Sequence, residues 1–104
     1  MVANDAVKAL SALAQHTRLD VFRLLVRQGA SGLKAGDISQ ELQIPPPTLS
    51  FHLKELRHAG LLACRRNGRS LIYSADYVRV NELIGYLLEN CCERDCEASE
   101  ALPT

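Results

Sequence analysis

Hydrophobic residues recur at helical spacing through the first half of the chain, and each run is bounded by residues that start or stop helices. The spacing predicts four helices, over residues 5–15, 17–28, 35–42 and 46–59. Thr17 is expected to cap the second helix, with Asp20 three residues on as a capping-box variant. The prolines at 45–47 are compatible with a helix that starts at Pro46 or Pro47, because first-turn amides have no partners to lose.

The pattern changes to strand-like runs after Gly60. Residues 61–66 and 69–74 flank Asn67-Gly68, a pair that favours a type I′ hairpin turn because both of its central residues need positive φ. A last amphipathic helix is predicted from Val78 to about Cys92. Two helices joined by a short turn and followed by a basic hairpin are typical of a winged helix-turn-helix. The predicted fold class is therefore mainly α with a small β-hairpin.

The chain has 104 residues, of which 47% are hydrophobic and 23% are charged, as expected for one soluble globular domain. No apolar run approaches the roughly 20 residues that a membrane-spanning helix needs. The start of the chain lacks the basic and apolar segments of a signal peptide, so a cytoplasmic location is expected. A membrane protein, a large multidomain enzyme and a disordered chain are excluded. Residues 1–92 are predicted to form the domain, and residues 93–104 an acidic tail that carries one cysteine.

A formal net charge of zero hides a division of charge along the chain. Residues 1–88 contain eleven Lys and Arg against seven Asp and Glu, which gives this body a charge of +4. Residues 89–104 contain one Arg against five acidic residues, which gives the tail a charge of −4. A basic body attracts anionic partners such as nucleic acid, whereas the negative end is explained most simply as a solvated tail.

The second helix of a helix-turn-helix lies in the major groove of DNA, and the predicted helix after Pro45 carries polar side chains away from its leucine stripe. Hydroxyl groups there can contact bases or phosphates, and an exposed Phe can meet a thymine methyl group. Simpler interpretations are that Thr48 caps the helix, that Phe51 is half-buried and that the hairpin arginines are solvated charge. The candidate DNA-binding residues are Thr48, Ser50, Phe51, His52, Lys54 and Arg57 on the helix and Arg65, Arg66 and Arg69 on the hairpin.

Three stretches of the chain carry a family pattern: VKALSALAQHTRLDVFRLLVRQG, DISQELQIPPPTLSFHLKELRHAGLL and RRNGRSLIYS. Together they resemble the ArsR/SmtB family of bacterial metal-responsive repressors over about residues 5–92. The second helix resembles the family's P-T-R-L start with His16 replacing the proline, and the fourth resembles its S-x-H-L core at Ser50-x-His52-Leu53. Pro45-Pro46 departs from the family's frequent Ser-Gln, which removes a helix cap and a polar DNA contact.

The resemblance implies a homodimer built on the first and last helices, which binds an imperfect inverted repeat of double-stranded DNA and is released when an inducer binds. Twofold pairing also has an independent argument, because one recognition helix reads only a few base pairs and a partner supplies the second half-site. The alternative is that the same apolar residues cover only the core of the monomer. The candidate interface residues are Leu10, Leu13, Ile84, Leu87 and Leu88.

Three of the four cysteines, Cys91, Cys92 and Cys96, lie within six residues. Thiolates are soft ligands, and three of them suit trigonal-pyramidal As(III) or Sb(III). Some members of the family place arsenic thiols at this end, whereas the family's Cys-x-Cys arsenic site would fall here on Lys34 and Gly36. The last helix has no His for a zinc or nickel site of the family's kind. We therefore expect a repressor of an arsenic-resistance operon with As(III) or Sb(III) as inducer and no organic cofactor.

Several alternatives stay open for the cysteines. The pair Cys91-Cys92 would suffice for an organoarsenical, and an oxidant or persulfide sensor of the same fold is a further alternative. Incidental tail cysteines would leave a constitutive DNA-binding architectural protein. Neighbouring acidic residues are expected to raise the pKa of these thiols, so that a bound ion drives their deprotonation. Cys64 is expected to face the core, and a thiol enzyme is rejected because a two-residue hairpin turn cannot form a phosphate-binding loop.

Overall fold

The computed structural model describes residues 1–95, in which helices alternate with short strands. None of the helices within these residues is both long and apolar enough to cross a bilayer. The elements are α1 (Ala3–Leu13), α2 (His16–Gln28), β1 (Leu33–Lys34), α3 (Ala35–Leu42), α4 (Pro46–His58), β2 (Leu62–Asn67), β3 (Ser70–Ala75) and α5 (Tyr77–Leu88). Their order confirms the mainly α fold class and the winged helix-turn-helix architecture.

The core lies between α1, α2, α4 and the sheet. Helix α4 contributes a leucine stripe, Leu49, Leu53 and Leu56, whose i, i+4 and i+7 spacing buries one face along the whole helix. Helix α1 contributes small side chains, which let its backbone approach its neighbours closely. These buried side chains are Ala6, Ala9 and Ala12. The leucines of α1 therefore lie away from the centre of the packed face.

Helix α2 begins one residue earlier than predicted and is capped differently. Thr17 lies inside the helix, and the Gln15 side chain accepts a hydrogen bond of 2.8 Å from the amide of Arg18. The extended backbone of Gln15 lets its side chain turn back onto the first-turn amides. Arg18 donates from Nε to the carbonyl oxygen of Ala12 at 2.7 Å, which ties the turn between α1 and α2. The predicted capping box of Thr17 and Asp20 is therefore wrong.

Helix α4 starts at Pro46, in agreement with the prediction. Pro45 occupies the N-cap and supplies no side-chain hydrogen bond, as its departure from the family pattern suggested. The helix ends before Gly60, whose φ of 80° turns the chain towards β2. A Cβ atom at Gly60 would lie 2.9 Å from Nε of Arg79 on α5. The end of α4 is thus packed closely against the first turn of α5.

The hairpin that forms the wing is part of a three-stranded antiparallel sheet in the order β1-β3-β2. The prediction of a two-stranded hairpin missed the third strand, β1. Strand β1 has two residues, too few to show a periodic pattern. The hairpin turn also differs from the prediction. Asn67 pairs with Ser70, so Gly68 and Arg69 are the central residues. Of these, Gly68 has a positive φ of 65° and Arg69 does not, whereas a type I′ turn needs two left-handed residues.

Helix α5 is shorter than predicted. The Asp76 side chain accepts a hydrogen bond of 3.0 Å from the amide of Arg79 and caps the start of the helix. The helix ends at Leu88 instead of continuing to Cys92. Asn90 and Cys92 have φ values of 59° and 61°, and left-handed residues cannot continue a right-handed helix. Cys91 and Cys92 therefore lie in a turn beyond α5.

The first half of α5 is anchored to the other helices, whereas the second half packs against the core through Tyr86 and exposes its other large apolar side chains. Leu83 is buried in the core, and the Tyr77 hydroxyl donates to the carbonyl oxygen of Val26 at 3.1 Å. Arg79 forms an ion pair of 3.5 Å with Asp5 of α1. An ion pair this accessible to water contributes only about 0–1 kcal/mol, so most of the anchoring comes from packing. The residues after Leu83 are left with apolar side chains that the monomer does not cover.

Candidate functional site

The outward face of α4 carries most of the side chains that are predicted to contact DNA. Phe51 is 55% exposed, so the alternative that it is half-buried is wrong. Thr48 does not cap the helix, because Pro45 occupies the N-cap. An exposed aromatic ring on a basic helix face is suited to contact an apolar group such as the methyl group of thymine. The exposed members of the predicted set are Thr48, Ser50, Phe51, Lys54 and Arg57.

His52 departs from this set, and its prediction is corrected. The side chain is 7% exposed, and Nδ1 has no hydrogen-bond partner among the described residues. Burial, followed by the charge of Arg18, lowers the pKa of His52, so its imidazole is neutral at pH 7. The ring packs edge-on against Phe51, with 5.6 Å between the ring centroids. His52 therefore lies on the buried side of α4 and supports Phe51 from behind, away from the surface offered to DNA.

The three predicted wing arginines are exposed but are not equivalent. Arg65 donates from Nη2 to the carbonyl oxygen of Ser31 at 3.0 Å, which holds its guanidinium against the loop between α2 and β1. Within the described part of the chain, Arg66 and Arg69 make no side-chain hydrogen bond or ion pair. Free cations at the tip of a wing are placed to neutralise phosphates. We infer that Arg66 and Arg69 are more available for DNA than Arg65.

Loss of Arg69 is expected to change the salt dependence of DNA binding more than loss of Arg65. A side chain that neutralises one phosphate contributes about −0.9 to the slope of log K against log salt concentration. Arg69→Ala should therefore make the slope shallower by about 1 for each bound protomer, and Arg65→Ala by less than half of that. Anisotropy titrations of a labelled duplex between about 50 and 200 mM KCl measure both slopes. Equal changes in the two variants would contradict this ranking.

A cleft of about 280 Å³ lies between α4 and the wing. Tyr73 of β3, which sequence reasoning did not select, lines this cleft near the guanidinium of Arg57. Strand alternation places Tyr73 on the opposite face from the buried Ile72, but only the position of α4 makes that face part of a site. We call this cavity the helix–wing cleft. Its lining residues are Ala35, Ser50, Leu53, Lys54, Arg57, His58 and Tyr73.

Cys64 lies beside this cleft on the core-facing side of the sheet, as predicted, because it shares that face with the buried Leu62 and Ala75. It pairs with Tyr73 across strands β2 and β3, and its side chain is half-buried. Burial, together with the neighbouring Cys64 thiol, raises the pKa of Tyr73. The tyrosine hydroxyl therefore keeps its proton at neutral pH and can act as a hydrogen-bond donor.

Two of the three predicted ligand cysteines come together beyond α5. The Sγ atoms of Cys91 and Cys92 lie 3.4 Å apart. A hydrogen-bonding contact with Cys91, followed by burial, raises the pKa of Cys92, which confirms the predicted direction but not acidic neighbours as its cause. Cys96 lies outside the described residues. Within residues 1–95, no three His, Cys, Asp or Glu side chains converge as a metal-binding group, so the predicted third ligand stays a prediction.

The second half of α5 exposes an apolar stripe. Ile84, Leu87 and Leu88 are 50%, 56% and 55% exposed, and their spacing places them on one face of the helix. On α1, Leu10 is 43% exposed, whereas Leu13 is half-buried and packs against the core. The alternative that these residues serve only the monomer's own core is therefore wrong for all of them except Leu13. An uncovered apolar surface of this kind is typical of a protein interface.

Comparison with known proteins identifies this arrangement. Residues 13–65, about half of the chain, match a family model described as a helix-turn-helix domain. A biofilm growth-associated repressor from Xylella fastidiosa is 29% identical over 96 residues, which cover 92% of this chain and 82% of that protein. A solved structure from Mycobacterium bovis is a homodimeric winged helix-turn-helix DNA-binding domain, described as a possible ArsR-family transcriptional regulator. It superposes on this chain with a TM-score of 0.66 at 26% sequence identity. The match covers 88% of this chain and 84% of that one. An ArsR-like transcriptional regulator from Rhodococcus sp. RHA1 has a TM-score of 0.79 at 21% identity, covering 94% and 90% of the two chains, and this likeness concerns the fold.

Proposed function

Because this chain belongs to the ArsR/SmtB family of winged helix-turn-helix transcriptional regulators, we propose that it is a homodimeric repressor that As(III) or Sb(III) releases from an arsenic-resistance operator. The family consists of DNA-binding regulators and not of enzymes, and the chain is a regulator of this kind. The exposed face of α4 and the free wing arginines support contacts to the major groove and to its flanking phosphates. Two copies would place one α4 in each half of an imperfect inverted repeat.

The observation that carries the arsenic proposal is the thiol pair. The Sγ atoms of Cys91 and Cys92 lie 3.4 Å apart, close enough for both to bind one ion. Thiolates are soft ligands and suit soft acceptors. A pyramidal ion such as As(III), whose lone pair occupies one direction, takes three such donors. The pair therefore supports a soft ion.

The protonation of the pair supports a ligand role as well. The contact with Cys91 raises the pKa of Cys92, so the Cys92 thiol is not activated as a free thiolate by its surroundings. A soft ion displaces the protons when it binds, so the affinity for the ion does not depend on a preformed thiolate. We propose that Cys96, four residues after Cys92, supplies the third thiolate. The ligand chemistry that the pair supplies is therefore two soft donors on a short turn.

The position of the thiol pair suggests how an ion would affect DNA binding. Only two residues separate the pair from Leu88, which forms the end of the apolar stripe on α5. Ligation of both sulfurs would reorganise this turn and the last residues of α5. If the stripe is the dimer interface, the relative position of the two α4 helices changes with it. Coupling between an effector site and a binding site typically changes affinity about 5- to 150-fold.

The test is a fluorescence-anisotropy titration of the reduced full-length protein on an imperfect inverted repeat from its own promoter. As(III) should release the wild-type protein, with an affinity loss of about 5- to 150-fold. The double variant Cys91→Ser/Cys92→Ser should bind the duplex as the wild type does and ignore As(III). Cys64→Ser is the matched control, because it removes a thiol that lies near the wing instead, and it should respond like the wild type.

Two outcomes would overturn parts of the proposal. Operator binding that ignores As(III) and Sb(III) in the wild type would remove the arsenic claim and leave the regulator itself intact. A double serine variant that still responds would move the site away from the thiol pair. If the protein did not bind the inverted repeat at all, the proposal that this repeat is its operator would be wrong.

The same thiol pair also favours a second candidate inducer. A trivalent organoarsenical has one As–C bond and needs only two thiolates, and the Sγ atoms of Cys91 and Cys92 lie 3.4 Å apart. Cys96→Ser separates the two inducers. It should spare the response to a monomethyl arsenical and weaken the response to inorganic As(III). Equal loss of both responses would assign Cys96 to both.

A further inference from the structure

The helix–wing cleft combines cationic and hydroxyl groups from two different elements. Ser50, Lys54 and Arg57 line it from α4 at i, i+4 and i+7, and Tyr73 lines it from β3. No Asp or Glu is among its lining residues. Within residues 1–95, neither Lys54 nor Arg57 is held in an ion pair. The cleft is therefore an uncompensated cationic site that also offers neutral hydrogen-bond donors.

Such a donor set fits an oxyanion with several oxygens. Phosphate accepts hydrogen bonds from Arg, Lys, Ser and Tyr, and these are the groups that protein–DNA interfaces direct at the backbone. The position of the cleft selects the source of the phosphate. One wall is the helix that enters the major groove, and the other is the wing that follows the strand beside it. A phosphate at the edge of the groove would pass between the two walls.

Tyr73 is held at this wall of the cleft, because its ring packs partly against the core and its hydroxyl is within hydrogen-bonding reach of the Cys64 thiol. It occupies the middle strand of the sheet, opposite Leu33 of β1 on one side and Cys64 of β2 on the other. A Cβ atom at Gly32 would lie 2.5 Å from the Tyr73 carbonyl oxygen, so the loop before β1 presses directly against this backbone. A side chain fixed by its sheet loses little entropy when it binds, unlike a long lysine.

We propose that the helix–wing cleft seats one backbone phosphate of the bound DNA and that Tyr73 Oη donates a hydrogen bond to it. Lys54 and Arg57 supply the charge, and the tyrosine fixes where the phosphate sits. Such a contact sets the register of α4 on the duplex and carries no sequence information itself. The inference rests on the proposed DNA binding and adds to it a contact that the wing arginines do not make.

The test combines Tyr73→Phe with duplexes in which single phosphates are replaced by neutral methylphosphonates. Tyr73→Phe keeps the ring and its packing and removes only the donor. It should weaken binding about 100-fold or more on the unmodified operator, because a hydrogen bond to a charged group is lost in both half-sites. The slope of log K against log salt should stay unchanged, since no charge is removed. At one phosphate position in each half-site, the methylphosphonate should lower wild-type affinity and abolish the difference between wild type and variant.

Tyr86→Phe is the matched control, because it removes a phenol hydroxyl from α5 and should match the wild type on every duplex. The inference is overturned if Tyr73→Phe binds the unmodified operator as tightly as the wild type. It is also overturned if the penalty persists at every methylphosphonate position, since the hydroxyl then acts through the fold. A wild-type protein that fails to bind the unmodified operator would overturn the proposed function and this inference together. Wild-type binding without a tyrosine effect would remove only this inference.

Discussion

Replacement of Leu87 by glutamate is expected to convert the regulator to a monomer and to lower its affinity for a two-half-site operator about 100-fold or more. Leu87 is 56% exposed at the centre of the apolar stripe of α5. In a twofold interface, one substitution places two carboxylates in a surface that would otherwise bury two leucines, each contributing about 1.5–3 kcal/mol. A monomer loses the second half-site, and linked binding events typically gain a factor of about 10²–10⁴ over single ones.

Sedimentation velocity measures the oligomeric state, and anisotropy titrations on operators with one and two half-sites measure the loss of linkage. Val78→Glu is the matched control, because Val78 is 71% exposed on α5 but does not share the face of Ile84, Leu87 and Leu88. It should stay dimeric and bind like the wild type. A dimeric Leu87→Glu protein, or equal dissociation of both variants, would show that the stripe is not the interface.

The elements with strong local signals were predicted from the sequence almost to the residue. In α4, the leucine stripe, the prolines at its start and Gly60 at its end agree with one another, and the structure follows them. Helix α3 has the predicted bounds of Ala35–Leu42. Such agreement arises where the hydrophobic period, the start signal and the stop signal all act on the same few residues.

The errors occur where two local choices compete or where a distant contact decides. Gln15 and Thr17 both carry an oxygen that can cap α2, and the extended backbone of Gln15, set by the turn after α1, selects it. Asn67-Gly68 is a strong turn signal, yet the pairing of β2 with β3 is shifted by one residue and places Arg69 in the turn. Register depends on which faces are buried, and that is a tertiary property.

The residues of the candidate site also divide into those that local sequence signals reveal and those that only tertiary packing reveals. The exposure of the polar residues of α4 is predicted correctly, because they lie opposite the leucine stripe, and the hairpin arginines are exposed as well. His52 was misplaced because it lies at the edge of that stripe, and only the packing of α4 decides that its ring turns inward. Tyr73 was missed because the cleft that it lines forms only when β3 folds back beside α4. Cys91 and Cys92 were selected by their clustering and by the family resemblance, although the turn that holds them was predicted as helix.

The close contact at Gly32 leads to the largest expected loss of stability. Gly32 has a φ of 68°, and a Cβ atom there would lie 2.5 Å from the carbonyl oxygen of Tyr73 and 2.7 Å from Cγ2 of Ile72. A left-handed L-residue costs about 1–2 kcal/mol, and forcing a methyl group into packed surroundings costs about 1–3 kcal/mol more. Gly32→Ala should therefore lower the free energy of unfolding by about 2–5 kcal/mol. Urea unfolding at fixed protomer concentration measures it, because the stability of the proposed homodimer would depend on concentration.

Gly68→Ala separates the two causes of this loss. Gly68 has nearly the same φ, 65°, but a Cβ atom there would meet nothing within 4 Å. It should lose only the conformational part, about 1–2 kcal/mol. The difference between the two variants then measures the close approach of the loop to β3. If Gly32→Ala loses no more than Gly68→Ala, strand β3 can yield to an added methyl group, and the rigidity assigned to Tyr73 by that contact is lost as well. A larger loss of stability in Gly32→Ala than in Gly68→Ala shows that the loop before β1 and the middle strand β3 form one tightly packed unit. This unit fixes the position of Tyr73 in the helix–wing cleft.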